Sequence, residues 1–355
     1  MTEPIRCGMV GGGEGAFIGG VHRAAMRLDG LWDLQAGALC SDPDRSLASA
    51  AAIGIGRGYG TWQEMLDAEV GQLDCIAIVT PNDSHAEIST AALENGFHVM
   101  LDKPMTRTLA EAELLAAVAE ESDRSLFMTY TYAGYPMVRR AAELVVAGTI
   151  GAVRTVSVEY RQGWLATAIE QDGQKQASWR TDPSKSGAGA LGDIGCHAEF
   201  LVRFVSGLCI EQVRGDVRTL IPGRGVDDHA AVQLRLSGDI PGDMVVSQVC
   251  TGERNDVRIR IWGDSGSIAW SHERCDQLVH TVADGSQHIL HRGDSRVPIG
   301  HPEGFVEAFA NIYADAAMCM RGTDASVPDY RDGLAGMQFI DAVLRSEESG
   351  QWAEV

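Results

Sequence analysis

Ile5-Arg6-Cys7-Gly8-Met9-Val10-Gly11-Gly12-Gly13-Glu14-Gly15-Ala16-Phe17-Ile18-Gly19-Gly20-Val21-His22 passes from a short apolar run, through a cluster of glycines, into an Ala-rich stretch that continues to Leu28. A strand followed by a glycine turn and a helix is the arrangement in which backbone N–H groups approach a pyrophosphate at a helix N-terminus. The spacing Gly11-x-Gly13-x-x-Ala16 fits the glycine fingerprint, with Ala16 at the last position and Gly15 inside the turn. Gly11, Gly13, Gly15, Ala16, Phe17 and Ile18 are therefore candidate contacts to a dinucleotide. Taken alone, the segment also reads as a glycine turn with no ligand.

Outward from this segment the pattern repeats. Apolar runs at 5–10, 32–40, 74–79, 97–101 and 126–130 alternate with helical stretches at 22–28, 46–53, 84–95 and 109–121. Such alternation predicts an α/β domain, a doubly wound parallel Rossmann sheet over residues 1–128. Beyond residue 129 the runs lengthen and alternate apolar with polar, at 153–160, 213–220, 230–236, 244–249, 257–262 and 267–270, with helices at 192–206 and 304–320. Residues 129–355 are expected to form an α+β domain with a large, mainly antiparallel sheet. The polar, glycine-containing stretch 171–189 reads as a loop.

At 355 residues the chain is long enough for two domains, and 45% hydrophobic with 22% charged residues belongs to globular rather than disordered proteins. A net charge of -20 repels phosphate backbones and anionic lipid, which argues against nucleic-acid and membrane partners. No run approaches the roughly 20 apolar residues of a membrane span, and no basic leader precedes the first strand. The eight cysteines are dispersed without a C-x-x-C pair, and the histidines between 272 and 291 follow no ligand spacing, so no metal site is expected. A cytoplasmic location follows as the default expectation.

Further candidates fall at strand ends, where open α/β sheets bind their ligands. The second run closes on Ser41-Asp42, with Arg45 just beyond. An acid there accepts bonds from the adenosine ribose and repels a 2′-phosphate, favouring NAD over NADP, whereas Arg45 can answer that phosphate. Asp42 also reads as a plain turn residue in Ser-Asp-Pro-Asp. Thr80-Pro81-Asn82, with His85, closes the third run, and Asp102-Lys103-Pro104 closes the fourth. Near an oxidised nicotinamide the Lys103 ammonium is set up for proton transfer or for polarising an oxygen. Asp193 and His197 stand four apart, so both project from one face of the expected helix, and a His beside a carboxylate suits removal of an alcohol proton.

Assembled, Met9-Val10-Gly11-Gly12-Gly13 with Ile18-Gly19-Gly20-Val21-His22, Thr80-Pro81-Asn82-Asp83-Ser84-His85, Asp102-Lys103-Pro104 and Gly192-Asp193-Ile194-Gly195-Cys196-His197 resemble the Gfo/Idh/MocA oxidoreductases. The resemblance covers nearly the whole chain. It implies NAD, with NADP as the alternative, and a catalytic set of Lys103, Asp193 and His197. In that set His197 is the general acid/base, Lys103 orients the substrate hydroxyl, and Asp193 holds substrate or histidine. It also implies a homodimer or homotetramer built through the sheet of the second domain. Two features depart from the family pattern: the usual E-K-P is D-K-P here, and the phosphate loop is longer by about three residues than the common form.

The resemblance implies a sugar, anhydrosugar or inositol as substrate, oxidised at a ring secondary alcohol. Trp179, Arg180 and His301 are similar to residues lining the cleft of such members, and Tyr132 is a further candidate beside Lys103, Asp193 and His197. Two other readings share the fold: an NAD-dependent glycosidase acting by transient oxidation and elimination, and a non-catalytic dinucleotide-binding sensor.

Overall fold

In the computed structural model, which describes residues 3–293 and 295–355, the apolar runs of the first third become strands of one parallel sheet. They are β1 (Ile5–Gly11), β2 (Trp32–Ala38), β3 (Arg57–Gly58), β4 (Cys75–Val79), β5 (His98–Leu101) and β6 (Leu126–Met128), in the order β3-β2-β1-β4-β5-β6. The helices between them are α1 (Phe17–Leu28), α2 (Pro43–Ile53), α3 (Trp62–Glu69), α4 (His85–Glu94) and α5 (Leu109–Glu121). Every residue of β4 is buried, because crossover helices cover both faces of a parallel sheet. The order runs outward in both directions from β1 and β4. The switch point therefore lies between the strands that end on the glycine turn and on Thr80.

The rest of the chain supplies α6 (Pro136–Val146), β7 (Val153–Arg161), α7 (Lys175–Arg180), α8 (Pro183–Ser186), α9 (Cys196–Ser206) and β8 (Ile210–Arg218). There follow β9 (His229–Leu236), β10 (Ile240–Ser247), β11 (Asp256–Gly263), β12 (Gly266–Ser271), β13 (Gln277–Val282) and β14 (Gln287–His291). The chain ends with α10 (Phe305–Met320), α11 (Tyr330–Ser349) and β15 (Ala353–Glu354). Nine of these strands form one sheet, β14-β13-β12-β11-β7-β10-β9-β8-β15, antiparallel except for β10 beside β7. Along β7, Val156, Val158 and Tyr160 are buried while Thr155, Ser157 and Glu159 between them are partly exposed, the alternation of a sheet with one covered face.

Two units result, and the second is not the continuous 129–355 expected from sequence. One comprises the chain through Thr131 together with Phe305–Leu334; the other comprises Tyr132–Gly304 and Ala335–Val355. The apolar face of α10 explains the return. It buries Phe309, Ile312, Tyr313 and Ala316, and His22 of α1 packs against Phe309 and Tyr313 while the indole of Trp32 donates to the Tyr313 carbonyl at 2.9 Å. The polar stretch 171–189 is also more ordered than a loop, since α7 and α8 occupy much of it. The loop before it is held by fully buried Arg224, which donates to Glu170, to Asp228 and to the carbonyls of Leu165 and Thr167.

Candidate active site

In the first unit the glycine turn has the form that a pyrophosphate needs. Gly12 adopts φ 73°, and a Cβ added to Gly19 would stand 2.4 Å from the Gly12 Cα, so helix and turn meet backbone to backbone. Ala16 offers α1 no capping side chain, and its first turn carries no acid. The opening N–H groups of α1 thus face outward at the positive end of the helix. This glycine turn at an uncapped helix start fits a dinucleotide phosphate. Arg23 stiffens it by donating to the Gly12 carbonyl at 2.5 Å.

Ser41, Asp42 and Arg45 are exposed beyond β2. Asp42 caps α2, its Oδ1 accepting from the Arg45 backbone at 2.9 Å, so the plain turn role is realised on an acid that still faces solvent. Thr80, Pro81 and Asn82 follow β4, where Ser84 donates to the Thr80 hydroxyl at 2.7 Å.

His85 departs from its expected role as a cofactor contact. It is fully buried, with Nδ1 3.0 Å from the Pro104 carbonyl and Nε2 3.0 Å from the Thr80 carbonyl. Burial lowers its pKa, against the pull of Asp102 and those carbonyls. The ring ties the end of β4 to the turn after β5 and has no nitrogen left for a ligand. That turn carries Lys103, half-buried. Asp102 Oδ1 accepts from the Lys103 backbone at 3.0 Å and from Thr129 at 3.1 Å.

In the second unit, Asp193 lies not in a regular α-helix but in a π-helical turn, Leu191–Gly195, that runs directly into α9 and His197. Such turns widen the helix by one residue and recur at functional sites. Asp227 sets the turn up. Its carboxylate accepts from the Gly189 and Leu191 backbones, each at 2.7 Å, and its carbonyl accepts from Ala190 at 3.0 Å. Burial pushes the Asp227 carboxyl above its usual range while these backbone bonds draw it down.

Asp193 Oδ2 accepts from Gln248 at 2.8 Å and lies 3.4 Å from Arg180 Nε. Arg180 in turn lies 4.2 Å over the Trp179 ring, so Trp179, Arg180 and Asp193 are brought together. His197 is 6% exposed, with Nδ1 sealed from solvent.

Of the other two candidate substrate contacts, Tyr132 is buried and His301 is exposed. Tyr132 is 2% exposed: its ring stands edge-on to His197, centroids 5.1 Å apart, and its hydroxyl donates to Tyr160 at 2.9 Å. It is a wall behind the histidine rather than a lining residue. His301 is exposed on a loop held through its carbonyl by Arg292, and among the described residues no contact links it to Asp193, Arg180 or His197. Asp227 and Gln248 have no sequence signature and emerge only from the folded contacts. Among the described residues, no cluster of three or more His, Cys, Asp or Glu could hold a metal ion, and no helix is long and apolar enough to cross a membrane.

Residues 5–130 match the model of the oxidoreductase family with the NAD-binding Rossmann fold, and residues 138–269 match the GFO/IDH/MocA C-terminal domain. The uncharacterized oxidoreductase YfiI of Bacillus subtilis is 30% identical, over 100% of this chain and 98% of the relative. The chain belongs to the GFO/IDH/MocA oxidoreductase family. Levoglucosan dehydrogenase of Pseudarthrobacter phenanthrenivorans, another similar member, is 26% identical over 99% of this chain and 98% of its own length. The crystal structure of an inositol dehydrogenase homolog from Azotobacter vinelandii complexed with NAD+ matches with a TM-score of 0.95 at 30% identity, covering 100% and 98% of the two chains. Family membership makes the chain an oxidoreductase with an NAD-binding Rossmann domain.

Proposed function

We propose that this protein is an NAD(P)-dependent dehydrogenase that oxidises, reversibly, a ring secondary alcohol of a sugar, anhydrosugar or cyclitol. The observation that carries this reading is the acid–base cluster of the second unit, in which His197 stands one turn beyond an Asp193 already held by Arg180 and Gln248. A sensor that only binds dinucleotide has no use for such a set. The activities named for relatives, on levoglucosan and inositol, agree with a hydroxylated ring as the substrate class.

When bound, the oxidised nicotinamide supplies a hydride acceptor. His197 takes the hydroxyl proton at Nε2, because Nδ1 is sealed within the fold. Lys103 orients that hydroxyl and stabilises the oxygen as its proton leaves. Asp193 holds a neighbouring hydroxyl or the imidazole, and Arg180 donates to ring hydroxyls with Trp179 flanking it. Gly11, Gly13, Gly15, Ala16, Phe17 and Ile18 line the phosphate cradle, with Thr80, Pro81, Asn82 and Asp102 at the neighbouring strand ends. Ser41 and Asp42 meet the adenosine ribose, which favours NAD over NADP. The chain works as a homodimer or homotetramer joined through the open face of the nine-stranded sheet. Eight free cysteines accord with a reducing compartment, the cytoplasm.

The test is the appearance of reduced-nicotinamide absorbance when the protein meets NAD or NADP with levoglucosan, inositols and pyranoses. Sustained reduction with one ring polyol is the expected result. Dinucleotide binding without net reduction by any of them would overturn the dehydrogenase reading.

A further inference from the structure

Behind Asp193 runs a chain of side-chain amides whose direction is set by a single indole. Trp164 Nε1, a group that can only donate, gives its hydrogen to Gln162 Oε1 at 3.0 Å. With its oxygen so committed, Gln162 presents its NH2 to Asn255 Oδ1 at 2.7 Å and to the Tyr160 hydroxyl at 3.3 Å. Asn255 is fixed in the matching sense, since its own NH2 donates to Tyr132 at 3.2 Å while its Oδ1 also accepts from Tyr160 at 2.7 Å. The Gln248 atom 3.4 Å from Gln162 Oε1 must then be the NH2, and that same NH2 reaches Asp193 Oδ2 at 2.8 Å. Turning Gln248 over would set its oxygen against two acceptors at once.

We propose that Trp164, Gln162 and Gln248 form a hydrogen-bond chain of fixed direction that keeps Asp193 an ionised acceptor, with Gln248 the positioning residue that acts on it. Gln248 is well placed for this. It is 1% exposed, and its backbone is tied to the Asp228 carbonyl at 2.9 Å and to the Leu165 amide at 3.1 Å. A proton on Asp193 Oδ2 would face the Gln248 NH2 and the Arg180 guanidinium, both donors, so the chain and the ion pair select the same protonation state. The charged and titratable groups near Asp193 in this unit include Arg180 from α7 and Tyr160 from β7, with His197 four positions on in the chain and Asp227 bonded to the backbone of the π turn. Arg180 supplies a fixed positive charge and Gln248 a neutral donor, so Gln248→Glu changes the local charge whereas Gln248→Leu removes only the donor.

The proposal rests on the reading of Asp193 as part of the reacting set, and the test separates the two. The carboxyl carbon of Asp193, labelled with carbon-13 and assigned by its loss in Asp193→Asn, is titrated by NMR in the full-length protein. Wild type is compared with Gln248→Glu, Gln248→Leu and Trp164→Phe, and kcat/KM for a ring polyol is followed over the same pH range. Gln248→Glu is expected to raise the Asp193 pKa by about one unit or more, because a second carboxylate then faces it. Gln248→Leu and Trp164→Phe are expected to raise it less. The acid limb of kcat/KM moves with each shift, kcat/KM of Gln248→Leu falls about ten- to a hundredfold, and NADH affinity stays within about twofold.

If both Gln248 variants fail to fold, Trp164→Phe at the far end of the chain still decides the matter. An Asp193 titration unchanged in every folded variant would overturn the proposal. A shifted titration with unmoved kcat/KM would uphold the chain and overturn instead the role of Asp193 in the reaction.

Discussion

His197 depends on its surroundings more than on its place in the sequence. Tyr132 stands edge-on to its ring, Tyr160 packs beside it, and the two tyrosine hydroxyls are bonded to each other. Burial, with Tyr132 and Asp193 nearby, holds the Tyr160 phenol well above its usual range, so it stays neutral at any working pH. Replacing His197 or Lys103 by alanine is expected to lower kcat/KM at least about 100-fold while NADH fluorescence titration gives an affinity within a few-fold of wild type. Equal turnover in both variants would remove them from the reacting set. Asp42→Ala is expected to erode the preference for NAD over NADP, read as the ratio of kcat/KM for the two. Because Asp42 also caps α2, the same variant loses about 1 kcal/mol of stability, measurable by urea denaturation.

At the scale of elements, two contacts carry predictions of their own. Asp227 holds three successive amides of the segment that opens the π turn, although it lies more than thirty positions away in sequence. Asp227→Ala is expected to cost on the order of 3 kcal/mol in chemical denaturation and to lower kcat with little change in dinucleotide affinity. In the first unit, His22 joins α1 to α10 through the Tyr313 hydroxyl at 2.7 Å, and burial lowers its pKa to about 4. The folded state refuses a proton that the unfolded chain takes up near pH 6.5. Stability is therefore lost as pH falls from about 6.5 to about 4, by up to roughly 3 kcal/mol, and the slope levels off below that. His22→Gln, which keeps a partner for Tyr313 but does not titrate, is expected to flatten that slope. A slope identical to wild type would show that His22 does not set it.

These elements also mark what sequence could reveal. The glycine turn, Asp102-Lys103-Pro104 and the Asp193–His197 spacing are local patterns, and the strand ends and helix starts that carry them were legible, although Asp193 lies in a π turn rather than a regular helix. The return of α10 to the first unit was not, because an amphipathic helix fits either sheet until its partner, here α1, is known. The π turn, the burial of His85 and Tyr132, and the amide chain behind Asp193 are fixed by long-range contacts that leave no period or motif behind. For His301 a motif places the residue in sequence, whereas its loop, held by Arg292 through the His301 carbonyl, decides where the ring goes.

For the molecule as a whole, the formal charge of -20 makes local cationic features matter. An anionic dinucleotide must approach a negative surface, so its affinity for the helix N-terminus at Ala16 is expected to rise modestly with ionic strength, as salt screens that repulsion. The open face of the nine-stranded sheet is proposed to join subunits, and light scattering on the purified protein is expected to give a dimer or tetramer mass. A monomer mass at micromolar concentration would contradict that assembly. The central claim is that a hydride passes from a ring carbon to the nicotinamide, and isotope transfer tests it most directly. A ring polyol deuterated at its carbinol carbons is incubated with NAD and the protein, and the reduced dinucleotide is examined by mass spectrometry. One deuterium per reduced nicotinamide, formed by wild type and lost with His197→Ala, is the predicted result. Reduced dinucleotide without deuterium, or label transfer undiminished in His197→Ala, would contradict the account.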